Sequence, residues 1–113
     1  MTEKADILAA RLAPYRETPG IVAALLVSHD GFVVAADADP GFATDAVAAQ
    51  VAGVIDLGAR LSAELGQQRA RFISFEFDGL NVVLAPFDDE LMLVLAGLPS
   101  ALACEYRLIK PGA

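Results

Sequence analysis

"LLVSHDGFVVAAD", residues 25–37, joins two aliphatic runs through the chain's only histidine and an Asp-Gly pair. Asp30-Gly31 between two such runs signals a β-hairpin, because both positions of a two-residue hairpin turn need positive φ, which Asp and Gly tolerate. On this reading GIVAALLVS and FVVAADA are paired strands, and His29 sits half exposed at a strand end. The rival reading makes His29-Asp30 half of a catalytic or metal site. A metal site needs more ligands, and neither a second histidine nor a nearby cysteine can supply them. Ser28 is the adjacent hydroxyl, but neighbours in a strand point to opposite faces, so it cannot serve the imidazole as a nucleophile. His29 is turn punctuation.

Upstream, TEKADILAARLAPYRE sets Ile7, Leu8, Arg11, Leu12 and Tyr15 at helical spacing. Thr2 stands as its cap, Pro14 weakens its end, and Thr18-Pro19-Gly20 stops it. The unbroken apolar run that follows is what a strand buried on both faces requires. Downstream, Asp39-Pro40-Gly41 closes the hairpin, and Asp37 and Asp39 read as capping or turn residues.

A long helix is predicted from Phe42 or Ala43 to about Gly66. Its inner stripe is Val47, Val51, Val54, Gly58, Leu61 and Leu65, which suffices to lay a helix on a sheet. Beside it runs a second row of mostly small residues, Ala48, Ala52, Ile55 and Ala59, which we assign to a subunit interface. The apolar arc exceeds half the circumference, whereas an ordinary surface helix needs roughly 100°. The back of the helix shows Asp45, Ala49, Gly53, Asp56, Arg60 and Ala63.

RFISFEF, Asp78-Gly79, LNVVLAP, the acidic tip Asp88-Asp89-Glu90 and LMLVLAG make a three-stranded antiparallel meander. In RFISFEF, Ile73, Phe75 and Phe77 face one way while Phe72, Ser74 and Glu76 face the other, as in a half-exposed or edge strand. LMLVLAG reads as a central strand. A closing helix spans PSALACEYRLIK. The expected architecture is α+β: one domain over residues 1–113, in the order α-β-β-α-β-β-β-α.

Composition narrows the function. The chain has 113 residues, 56% of them hydrophobic, with a mean hydropathy of +0.52. That much apolar material in a small domain implies a face sheltered by a partner. The longest apolar runs are too short to span a bilayer, and the N-terminus lacks the pattern of a signal peptide, so a cytoplasmic protein is expected. The net charge is −7, and no basic residue falls between Arg16 and Arg60 or between Arg71 and Arg107. Without clustered cations, neither nucleic acid nor an anionic membrane is expected as a partner. Lone Cys104 reads as a small buried hydrophobe. GVIDLGAR (53–60) has glycines at phosphate-loop spacing, but Ala59-Arg60 replaces the required Lys and Ser/Thr and the segment lies mid-helix. No catalytic residue, cofactor site or metal site is assigned.

The element order, GIVAALLVSHDGFVVAADA, the alanine-rich helix and FISFEFDGLNVVLAPFDDELMLVLAG together resemble the Roadblock/dynein light chain family, including its MglB-like bacterial members. The likeness runs from about Leu12 to Leu98. It implies a five-stranded antiparallel sheet with the long helix on one face and the two terminal helices on the other. It also implies a homodimer in which the long helix and the following strand meet their symmetry mates, making one continuous sheet. On that basis Ala48, Ala52, Ile55, Ala59, Phe72 and Ser74 are expected at the dimer interface, and Ala52→Glu should separate the subunits. Such dimers bind Ras-like small GTPases without being enzymes themselves. The implied contact candidates are Asp45, Ala49, Asp56 and Arg60, with Arg60 a possible arginine finger or a helical ion-pair partner of Asp56 or Glu64. The alternative is a small-molecule-binding sensory domain, which would need a pocket between the long helix and the sheet.

Overall fold

The computed structural model describes residues 2–102. Its elements are α1 (Thr2–Ala10), α2 (Ala13–Arg16), β1 (Ile21–Ser28), β2 (Val33–Ala38), α3 (Thr44–Glu64), β3 (Ile73–Glu76), β4 (Asn81–Pro86) and β5 (Leu91–Gly97). Residues 99–102 begin the closing helix; the rest of it, with Cys104, lies outside the described residues. The expected first helix is two pieces. Pro14 has no N–H to donate to the preceding turn, so the chain breaks at Arg11-Leu12 and restarts with proline at the head of α2. Thr2 is already helical and is not the cap.

All five strands form one antiparallel sheet in the order β2-β1-β5-β4-β3. LMLVLAG is central and buried along its whole length, and RFISFEF supplies an edge. Two cores flank the sheet. Leu12 with Ala24, Leu26, Leu93 and Leu95 packs on the face of α1, α2 and residues 101–102. Leu25, Val27, Val94 and Met92 pack on the other face beneath α3. β2 and β3 are opposite edges, so α3 must cross the whole face between them. Its 21 residues reach ~31 Å at 1.5 Å each, enough to cross five strands spaced about 4.8 Å apart.

The first hairpin differs in detail from the sequence reading. Gly31 has φ +93°, but Asp30 does not have positive φ. Gly31 N–H donates to Ser28 O, and Ser28 N–H donates to Phe32 O, each at 2.9 Å. His29, Asp30 and Gly31 thus form a three-residue loop in which only the glycine is left-handed, the turn-plus-bulge solution for hairpins. At the β4–β5 turn, Asp88 Oδ1 accepts from the backbone N–H groups of Glu90 and Leu91, each at 2.8 Å. This acid is a turn anchor.

Candidate interaction surface on the long helix and the outer strand

The structure divides the two apolar rows of α3 along the helix: the first half of each packs on the sheet, and the leucines at the end of the inner stripe do not. Ala48 is fully buried, and with Val51 it seals the helix to the chain's own sheet. Ala52 is half-buried against Gly31, and half-buried Ile55 packs against the same core. Of the predicted interface row, only Ala59 is exposed. Ala48 therefore offers no surface to a second subunit, which corrects its assignment. The physical reason is distance. The tip of the β1–β2 hairpin comes so close to α3 that a Cβ on Gly31 would stand 3.4 Å from Ala49 Cα, and only a row of small residues fits there.

Of the stripe assigned to the sheet, Leu61 and Leu65 are left outside. They are 59% and 62% exposed, with Leu57 beside them at 67% and Phe77 on the strand side at 60%. Val54 is common to two open grooves between α3 and the β3 edge. One, of about 390 Å³, is lined by Leu57, Gly58, Leu61, Leu65 and Ile73. The other, of about 320 Å³, is lined by Val47, Phe75, Phe77 and Val82. The Phe75 and Phe77 rings stack with centroids 6.4 Å apart. Burying one leucine is worth roughly 1.5–3 kcal/mol, so this strip holds several kcal/mol of unrealised burial. A contiguous apolar strip of this kind marks an association surface.

Phe72, expected at the dimer interface, is half-buried and packs against the opposite core, on the α1 side. Ser74 is exposed on β3. The two sheet edges differ. At β2, Arg16 Nε donates to Asp37 Oδ1 at 3.0 Å, Nη2 donates to Asp39 Oδ1 at 2.7 Å, and Nη1 donates to Ile21 O at 2.6 Å. These bonds raise the Arg16 pKa, the Asp39 bond most and the Asp37 bond next. Asp37 and Asp39 are thus ion-pair acceptors, Asp39 also opening the turn in which its carbonyl accepts from Phe42 N–H at 3.1 Å, and charge blunts this edge against pairing. Distance along the chain hid the clamp, since partners 21 and 23 residues apart leave no local pattern.

Asp45, Ala49, Asp56 and Arg60 are all exposed on α3. Arg60 Nη2 lies 3.0 Å from Asp56 Oδ2. Asp45 sits in the first turn, where the helix dipole favours an acid. By length and composition α3 is apolar enough to cross a membrane. Here it lies on the sheet through Ala48 and Val51, with the charged residues outward. Among the described residues no cluster of His, Cys, Asp or Glu converges to hold a metal. The grooves beside α3 are open clefts without the convergent polar groups that orient a small ligand.

A Roadblock/LC7 domain model matches residues 8–96. No curated protein matches the sequence. Among solved structures, Myxococcus xanthus MglB superposes with a TM-score of 0.77 at 14% identity, covering 95% of this chain and 78% of that one. The gliding protein MglB of Thermus thermophilus gives 0.75 at 24% identity, covering 94% and 79%. An MglB described as having a tetrameric arrangement gives 0.77 at 23% identity, covering 94% and 79%.

Proposed function

This chain belongs to the Roadblock/LC7 domain family, and from that premise we propose that it is a homodimeric, non-catalytic platform that binds a Ras-like small GTPase and modulates its nucleotide cycle. The observation that carries the reading is the exposed strip of Leu57, Leu61, Leu65 and Phe77 along α3 and the β3 edge. Covering it with a second copy would remove the apolar surface and the unpaired edge together. The α3 face with Asp45, Ala49, Asp56 and Arg60 then stays outside as the surface for the GTPase. The likeness to a gliding protein and to an MglB with a tetrameric arrangement supports self-association and a role in bacterial polarity or motility, which we place in the cytoplasm.

The test mixes the purified protein at saturating concentration with a Ras-like GTPase encoded in the same genome. The expected result is a complex with one nucleotide state and a changed rate of hydrolysis or exchange. Binding to neither the GDP form nor the GTP-analogue form overturns the proposal.

A further inference from the structure

Within its 21 residues, α3 contains Gly53 and Gly58, and glycine is the poorest helix former after proline. Among the described residues nothing demands glycine at position 58. Its φ is not positive, and of those residues an added Cβ would meet only Ile73 Cδ1, at an ordinary 3.8 Å. Yet Gly58 lies where two hollows meet. It lines the apolar groove of Leu57, Leu61 and Leu65 and also a small hollow of about 40 Å³ beside Ile55, Ile73 and Met92, with His29 and Arg69 at its rim. A missing side chain ringed by large apolar ones is a hole, and helices associate by placing a side chain of one into such a hole on the other.

We propose that Gly58 is the hole that receives an apolar side chain from α3 of a second copy, and that this fit sets the register of the paired helices. The inference rests on the self-association read above and adds the residue that specifies it. The occupant follows from symmetry. A two-fold interface uses the same patch twice, and here hole and knobs share one patch, since the exposed leucines 57 and 61 flank Gly58. The larger groove is lined by no charged residue, so a partner carrying a charged surface would find no counter-ion there. Ile73 joins the groove to β3, the strand with the unguarded edge. Gly53 provides the contrast: among the described residues nothing lies within 4 Å of its absent Cβ, and it is exposed in the outward-facing part of the helix with Asp56 and Arg60.

The test is sedimentation equilibrium of the full chain, with circular dichroism as the check on folding. Gly58→Leu fills the hole and is expected to weaken the wild-type dimer at least tenfold while the helical signal is kept. Gly58→Ala adds one methyl group and improves helix propensity. It is expected to raise the melting temperature of the subunit while weakening the dimer severalfold, a split that a purely structural role would not produce. Gly53→Leu is expected to leave the dimer constant within twofold. A Gly58→Leu protein that dimerises as tightly as wild type overturns the assignment of Gly58 and leaves the platform reading intact. A wild-type protein that stays monomeric at the highest concentration overturns both. Should Gly58→Leu fail to fold, Gly58→Ala decides: an unchanged dimer constant rejects the hole.

Discussion

Gly31 lies directly against Ala52: a methyl group on the glycine would stand 3.1 Å from the alanine Cβ. The contact ties the tip of the first hairpin to the middle of α3 and selects which side of the helix faces the sheet. Gly31→Ala meets that crowding and also a φ of +93°. A non-glycine residue held there costs about 1–3 kcal/mol. Urea denaturation should show a loss of that size with an unchanged m-value.

The two apolar rows of α3 respond differently to charge. Ala48→Glu buries an unpaired carboxylate, a change that costs on the order of 3–5 kcal/mol, and it should leave the chain largely unfolded. Leu61→Glu alters an exposed position and should move subunit stability by only about 0.5 kcal/mol, yet shift the sedimentation coefficient from dimer to monomer. Ala52→Glu does not isolate the interface, because the added chain strains the Gly31 contact inside the subunit. A Leu61→Glu protein that remains a dimer would contradict the surface assigned here.

Arg16 clamps α2 to the start of β1 and the end of β2. Arg16→Gln removes two ion pairs whose carboxylates are half exposed and a bond to a main-chain carbonyl. After screening, the expected loss is about 1–2 kcal/mol. The pairing raises the pKa of Arg16, so its contribution is fully present below the unfolded guanidinium's pKa and is lost only as pH rises through the still higher folded value. The stability difference between wild type and Arg16→Gln should therefore be flat over roughly pH 6–9, as thermal melts across that range will check.

Arg60 is paired with Asp56 one helical turn away, and both side chains are well exposed. Such a pair contributes little, about 0.3–0.5 kcal/mol. Arg60→Ala should leave the melting temperature within error. If the platform acts by repositioning the GTPase's own groups, the same variant should lower stimulated hydrolysis less than tenfold. A loss of 10³-fold or more is the signature of an arginine finger and would reassign the residue.

The order of elements, the positions of the turns and the central place of LMLVLAG were legible in the sequence alone. Each rests on local physics: alternation or 3.6-residue periodicity, and Gly, Pro and Asp at points where the chain must reverse. The candidate surface was legible only in outline. An apolar arc wider than half of α3 showed more apolar side than one sheet face can cover, and RFISFEF showed an open edge. Which part turned inward depended on the third dimension. By size alone Leu61 and Leu65 belong inside, yet they are exposed, while at the other end of the helix the backbone at Gly31 comes so close to α3 that the small Ala48 and Ala52 face it beside buried Val51. The Arg16 clamp belongs to the same class, because its carboxylates become neighbours only after β2 pairs with β1. Periodicity records how wide a helix's apolar side is, and close packing between distant segments decides which part of it is buried.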